Sequence, residues 1–258
     1  MAGWSKFPHP DKAFDYAGTA LKKAWPRLHR GDCEEYPHGA KVQDAWRAYH
    51  RGDFEAAFRL GLAIGDAGVN VANKAQIMYA TYLEGDERKK LALFEEAAKR
   101  AETYAASATA DANAYYFQAL AWGRYSQGIS VIKALAQGLG GKILAALEQA
   151  VELNPRHADA HIALGAYHAE VIDKVGAGIG SLAYGASKDK GVRHFEKALG
   201  LNPDSAIARV EYANGLVMLF GKSMMDKAVN LYEQAAVCIP ADAMERLDVE
   251  LAKSELED

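Results

Sequence analysis

The stretch LEQAVELNP, residues 147–155, decides the fold of this chain, because two later stretches repeat its pattern. These are FEKALGLNP at residues 195–203 and YEQAAVCIP at residues 232–240. Each begins with a bulky apolar residue, has Ala three positions later, and ends with Pro five positions after that Ala. On a helix the first two side chains lie on one face, and the Pro ends the helix. The pattern therefore predicts amphipathic helices that end at the same point of a repeated unit.

A second amphipathic segment follows each of the first two prolines, at residues 158–168 and 206–216. The predicted unit is thus a helix, a turn, a second helix and a proline. Weaker copies precede it: aromatic residues at 46–49 and 79–82 each come before a Gly-Asp turn, and a further first helix spans residues 114–125. We predict about five helix hairpins, an added N-terminal helix near residues 11–24, and an acidic C-terminal helix from residue 241.

This unit resembles the tetratricopeptide repeat (TPR). In that family a large residue, a Leu-Gly pair and an aromatic residue mark the first helix, and a small residue, an aromatic, an Ala and a Pro mark the second. The matching positions are His161, Leu164-Gly165 and His168 in the first helix, and Ala228, Tyr232, Ala235 and Pro240 in the second. The resemblance implies an all-α fold of antiparallel helix hairpins stacked in a right-handed superhelix. It also implies one TPR-like domain over residues 1–258, with weak repeats in 1–111, clear repeats in 112–240 and a capping helix in 241–258.

The spacing between the prolines exceeds the TPR period of about 34 residues. The additional residues lie between paired helices, at 128–141 and 175–191, and both segments are small, apolar and rich in Gly. Such lengthened insertions resemble those of the T-component of tripartite ATP-independent periplasmic transporters and of the related regulators of microtubule dynamics. This second resemblance implies a transporter-associated or carrier subunit.

Composition excludes several classes of partner. The chain has 30 Lys and Arg against 34 Asp and Glu, so there is no basic excess to neutralise nucleic-acid phosphates. The two cysteines, Cys33 and Cys238, are far apart, which predicts a reduced compartment and no disulfide framework. No leader, lipidation motif or membrane span is visible, so we predict a cytoplasmic protein, with a periplasmic one as the alternative if a leader has been removed.

No motif supports catalysis. The stretch GLVMLFGKS at 215–223 has one residue too many for a phosphate-binding loop and follows a helix, so we interpret it as a turn. His157, His161 and His168 share one helical face, where a His157–His161 metal pair is the alternative to a structural role. The Arg-Gly-Asp triplets at 30–32 and 51–53 are typical of turns at helix ends. We therefore predict no enzyme activity, no cofactor and no metal.

These observations favour a binding scaffold that recognises a protein or peptide segment through a largely apolar concave groove. The alternative is a transporter-associated or carrier subunit that binds an apolar small molecule or a solute-binding protein; either function is compatible with a homo-oligomer. In the TPR superfamily the first helix of each pair lines the concave surface. The predicted lining residues are Tyr115, Gln118, Trp122 and Tyr125; Asp159, Ile162, Ala166 and Glu170; and Ile207, Val210, Asn214 and Met218. A further alternative is that these residues pack against the Gly-rich insertions, which would fill the groove.

Overall fold

A computed structural model describes residues 3–257, and within that range the chain forms helices, turns and loops but no β-strand. The thirteen α-helices are α1 (Ala20–Leu28), α2 (Ala40–His50), α3 (Phe54–Ile64), α4 (Val69–Tyr82), α5 (Glu87–Ser107), α6 (Ala112–Ile129), α7 (Val131–Ala136), α8 (Leu139–Leu153), α9 (Ala158–Tyr184), α10 (Lys188–Leu201), α11 (Ala206–Phe220), α12 (Met225–Ala236) and α13 (Ala243–Glu257). The all-α prediction is confirmed.

The helices pack as five hairpins, which is the number that the repeats predict. The pairs are α2 with α3, α4 with α5, α6 with α8, α9 with α10, and α11 with α12. The last helix, α13, packs against α12 and α11 and also reaches α2. The N-terminal helix lies later than the predicted residues 11–24, since residues 12–14 form only a 3-10 turn and Gly18 (φ 54°) separates that turn from α1.

Helix ends follow the local chemistry of the sequence. Asp111, Ser205 and Asp86 each accept hydrogen bonds from backbone N–H groups in the first turn of the helix that follows. Helices α8 and α10 both end at a Leu that is followed by Asn-Pro, as the repeated stretches predict. These caps determine where each repeat begins and ends, and therefore which faces of its helices meet the neighbouring repeat.

One ring, that of Phe195, holds the fourth and fifth hairpins together. It is fully buried and stacks on Tyr212 with ring centroids 5.2 Å apart. Two glycines flank the ring, and a Cβ added at Gly165 or Gly215 would lie 2.7 or 2.4 Å from its atoms. Glycine at these positions lets neighbouring first helices approach the ring closely, so the Gly of the Leu-Gly pair has a packing role.

We expect Gly215→Ala to lower the free energy of unfolding by about 1–3 kcal/mol, because the added methyl group overpacks the buried ring. The matched control is Gly200→Ala, since a Cβ at Gly200 meets no atom within 4 Å. This change should raise the free energy of unfolding by about 0.5–1 kcal/mol through helix propensity alone. Urea unfolding followed by circular dichroism measures both, and equal stabilisation by the two variants would contradict this role of Phe195.

The two Gly-rich insertions form additional helical structure between the paired helices of the third and fourth hairpins. The first contains α7, and the second extends α9 across a break at Gly176, where φ is 79° and ψ is 160°. The Tyr167 hydroxyl donates a hydrogen bond to the Tyr184 carbonyl oxygen, 3.1 Å away, which holds the extension against the body of α9. None of the helices within residues 3–257 has the length and apolar character needed to cross a membrane.

Candidate ligand-binding cavity

The loop of residues 29–36 crosses the N-terminal ends of the first helices. The backbone N–H of Asp159 donates to the Gly31 carbonyl oxygen at 3.0 Å, and Arg30 pairs with Asp204 at 2.6 Å. A Cβ at Gly31 would lie 2.3 Å from an Asp159 carboxylate oxygen, so this close approach requires glycine. The first Arg-Gly-Asp triplet lies in the turn that follows α1, as predicted, and it also contacts distant repeats.

The second triplet has the predicted role. Gly52 adopts a left-handed conformation with φ of 89° directly after α2. Asp53 then caps α3 by accepting a hydrogen bond from the backbone N–H of Ala56. The identical triplets thus perform different tasks, because only the second lies between two helices of one hairpin.

A series of buried, hydrogen-bonded side chains connects the 29–36 loop to α4, to α2 and to Asp242, which directly precedes α13. The Lys74 ammonium lies 2.6 Å from one oxygen of Asp32, and His29 Nδ1 lies 2.9 Å from the other. His29 Nε2 and His50 Nε2 are 3.3 Å apart, and His50 Nδ1 meets Asp242 at 2.8 Å. Burial lowers the pKa of His29 to about 4, so the Lys74 ammonium is the cation that balances the buried Asp32 carboxylate.

The C-terminal helix completes this closure. Arg27 of α1 forms two hydrogen bonds with Glu245, the longer of 2.9 Å, and the Tyr16 hydroxyl donates to the Ala241 carbonyl oxygen at 2.5 Å. Tyr82 on α4 donates to Asp248 on α13. These contacts join the N-terminal and C-terminal helices of the chain. A space remains between the loop, α13 and the first helices of the hairpins.

That space is a cavity of about 130 Å³ that opens to solvent. The first helices α4, α6, α9 and α11 surround it together with α13, and α7 and α8 form one wall. This wall is largely apolar, with Val131 and Leu135 from α7 and Ile143 and Leu147 from α8, and Leu120 of α6 and Tyr167 of α9 also line the cavity. The first insertion therefore contributes to the cavity wall through α7 and does not fill the cavity.

A hydrogen-bonded band of polar side chains crosses the opposite side of the cavity. Arg124 pairs with Glu211 at 2.9 Å and donates to the Gln127 side-chain oxygen at 3.0 Å. Gln127 in turn donates to Glu170. The band joins α11, α6 and α9, and all four side chains line the cavity. An apolar wall that faces a polar band is the arrangement that binds a molecule with an apolar and a polar end.

Burial changes the acidity of the carboxyl groups in the cavity. It raises the pKa of Asp159 and that of Glu170 to about 7, and the pKa of Asp248 to about 8. Burial alone would lower the pKa of Arg124, but the adjacent Glu211 carboxylate raises it above its usual value. The arginine is therefore charged, while three acids titrate near neutral pH.

The structure places five of the twelve predicted lining residues on the cavity wall. These are Asp159, Ile162, Ala166 and Glu170 on α9, and Ile207 on α11. On α11 the remaining predicted residues turn elsewhere: Val210 is buried against residues of α12 and α13, Asn214 accepts a hydrogen bond from Tyr232, and Met218 packs against the main core.

On α6 none of the four predicted residues lines the cavity. Trp122 is 7% exposed within the core, with the Lys142 ammonium of α8 5.4 Å from its ring centre, and Gln118 is also buried. Tyr115 and Tyr125 pack against the same core. The residues that do line the cavity from α6 include Tyr116, Leu120, Arg124 and Gln127.

The helix caps reveal the signal that sequence reasoning missed. Asp111 and His157 occupy the same N-cap position of α6 and α9. Counting from these caps aligns Tyr116, Leu120 and Arg124 with Ile162, Ala166 and Glu170, all of which line the cavity. If Leu120-Ala121 is taken as the Leu-Gly pair of the repeat, the register of α6 shifts by two residues, which rotates the helix by about 200°. This shift explains why the residues predicted on α6 do not line the cavity.

His157, the N-cap of α9, and His161 have hydrogen-bonding partners within the protein, whereas the buried Nδ1 of His168 has none within residues 3–257. His157 Nδ1 accepts from the backbone N–H of Ala160 at 3.0 Å, and its Nε2 lies 2.9 Å from the Asn113 side-chain oxygen. His161 contacts His194 and the Pro155 carbonyl oxygen. Within residues 3–257, no group of three His, Cys, Asp or Glu side chains is arranged to hold a metal.

Comparison with known proteins gives one informative similarity. No protein-family model and no curated protein sequence matches the chain. Among solved structures, the thermophilic TPR protein TTC0263 from Thermus thermophilus is similar, with a TM-score of 0.58 and 20% sequence identity. The match covers 83% of this chain and 97% of that protein. The similarity shows that this chain has the fold of that TPR protein, a stack of antiparallel helix hairpins.

Proposed function

We propose that this protein is a binding module that holds a small amphipathic molecule in its central cavity. The observation that carries the proposal is the cavity itself, with its apolar wall on α7 and α8 and its polar band from Glu211 to Glu170. Small-molecule sites combine apolar walls with a few polar groups, and the cavity has that composition. A carrier role of this kind also agrees with the resemblance to transporter T-components.

A peptide helix is a poorer fit to the same space. The loop of residues 29–36 and α13 both contact the concave side, so a helix about 10 Å wide would have to displace one of them. Displacing the loop would break the buried Lys74–Asp32 ion pair, whose disruption is strongly unfavourable.

A second candidate function is docking of a protein on the outer surface. Four apolar side chains favour it because they project into solvent: Ile179 and Leu182 on the second insertion, 59% and 92% exposed, and Val237 and Ile239 after α12, 78% and 86% exposed. Ile179 and Leu182 lie three residues apart on one helix, and exposed apolar side chains that are neighbours on a helix often mark interaction sites. The two functions are compatible, since this surface and the cavity do not share residues.

Gly123→Leu tests the cavity function. Gly123 lines the cavity on α6, and a Cβ added there meets no atom within 4 Å. The leucine side chain should project into the cavity while the change from glycine favours the helix by about 0.8 kcal/mol. We expect native mass spectrometry to show a small molecule bound to the wild-type protein and absent from a stably folded Gly123→Leu.

The matched control is Gly200→Leu, which introduces the same side chain at an open helical position outside the cavity. It should retain the bound molecule. A Gly123→Leu protein that carries as much ligand as the control would exclude the cavity as the binding site. If a polypeptide is bound instead, and Leu182→Asp releases it while Gly123→Leu does not, the second candidate function is the correct one.

A further inference from the structure

The cavity contains more acidic groups than basic ones. Four carboxyl groups line it, from Asp159, Glu170, Glu211 and Asp248, together with two basic groups, from Lys74 and Arg124. Both basic groups are already paired: Lys74 lies 2.6 Å from the Asp32 carboxylate, and Arg124 lies 2.9 Å from Glu211. Three carboxyl groups thus remain without an ion-pair partner among the described residues.

Asp248 is the most constrained of the three. It is 2% exposed, and its Oδ1 accepts a hydrogen bond from the Tyr82 hydroxyl. Its Oδ2 has no hydrogen-bond partner within residues 3–257, and the residue lines the cavity, so this oxygen is available to a ligand. Once Asp248 is ionised, Oδ2 can accept hydrogen bonds from a donor that the ligand supplies.

Resting on the proposed cavity function, we infer that the bound molecule is an amphipathic cation, an ammonium group carried on an apolar chain. An ammonium group supplies three hydrogen-bond donors and the missing positive charge, and unpaired carboxylates would repel an anionic ligand. Tyr82, Tyr116 and Tyr167 also line the cavity, and aromatic faces attract cations. The apolar chain would lie along the α7 and α8 wall.

The acidities of these groups predict how binding depends on pH. Asp248 has four titratable neighbours, namely Tyr82 on α4, Asp159 on α9, and Asp242 and Glu245 near the start of its own helix. Burial, together with the nearby acids, raises the pKa of Asp248 to about 8. Glu170 faces Gln127 and Arg124 on α6, Glu211 on α11 and Lys174 on its own helix. An alkylamine stays protonated well above neutral pH, because its pKa is close to that of lysine, about 10.4. Affinity for it should therefore rise between about pH 6 and pH 8.5, as the carboxyl groups lose their protons.

Isothermal titration calorimetry with octylamine, octanol and octanoate tests the inference on the full chain. The three probes share an apolar chain and differ in the charge of the polar end. We expect octylamine to bind about tenfold more tightly than octanol, and octanoate to bind most weakly. Octylamine binding should release protons, which titrations in buffers of different ionisation enthalpy detect.

Two isosteric variants show which groups recognise the charge. Asp248→Asn and Glu170→Gln should each weaken octylamine binding about tenfold and leave octanol binding unchanged, because each removes a charge at nearly constant shape. The matched control is Glu233→Gln, on the exposed face of α12, which should not affect any of the three probes. If Asp248→Asn fails to fold, Glu170→Gln still provides the comparison.

The outcomes separate this inference from the cavity function. Octanol or octanoate binding at least as tightly as octylamine would overturn the charge assignment and leave the cavity function standing. Unchanged octylamine affinity in both variants would overturn it as well. If none of the probes binds, the inference fails, and the cavity function fails with it unless Gly123→Leu removes a molecule in native mass spectrometry.

Discussion

Lys74→Met should lower the free energy of unfolding by about 3–5 kcal/mol, because it leaves the buried Asp32 carboxylate without its cation. Lys74 is 4% exposed and Asp32 is 1% exposed, so solvent cannot replace the missing partner. The effect should shrink at pH values below the pKa of Asp32 in the unfolded state. In the folded state His29 and Lys74 hold the pKa of Asp32 well below the usual range despite burial, so the stabilising contribution of this carboxylate is lost in acid. Urea unfolding at neutral and acidic pH measures both effects.

Two further variants test whether the loss of stability comes from the unpaired Asp32 carboxylate. Lys99→Met removes an ammonium group whose only ion pair, with Glu95, is exposed, and should leave the unfolding midpoint unchanged. The double variant Asp32→Asn with Lys74→Met should recover part of the lost stability, since no unpaired charge remains. A single Lys74→Met variant within about 1 kcal/mol of the wild type would show that the loop of residues 29–36 does not depend on this ion pair.

Trp122→Ala should also lower the free energy of unfolding by about 3–5 kcal/mol, because it opens a large void in the core. The indole is 7% exposed, packs edge-on against Tyr125 with ring centroids 5.5 Å apart, and receives the Lys142 ammonium over its ring. Its Nε1 has no hydrogen-bond partner within residues 3–257, so removing the side chain eliminates packing contacts but no hydrogen bond. Thermal and urea unfolding of the purified variant provide the measurement.

The control for this prediction keeps the aromatic volume. Trp122→Phe should retain most of the stability and bind octylamine as the wild type does. A Trp122→Ala variant that stays as stable as the wild type but loses its ligand would show instead that Trp122 contacts the ligand, which is the role that the sequence predicts for it.

The sequence by itself determined the helical class, the number of hairpins and the positions of most turns. These properties depend on local signals: an apolar face at helical spacing, Asp or Ser before the first turn, and Asn-Pro after the last. The lining of α9 was also predictable, because His161, Leu164-Gly165 and His168 set the register of that helix. On α6 the same reasoning failed, since Leu120-Ala121 imitates the Leu-Gly pair two residues from the true register, and the Asp111 cap would have corrected it.

Only the tertiary structure decided that the stack is closed by the 29–36 loop and α13. Closure depends on contacts between residues far apart in the chain, such as Lys74 with Asp32, His50 with Asp242, and Tyr82 with Asp248. Each of these residues alone is a common polar side chain, and no local pattern distinguishes a buried one from a solvated one. The acidic cavity arises from the same cause, because its carboxyl groups come from two first helices, α9 and α11, and from α13, and only their convergence within one enclosed space gives them a shared preference for a cation.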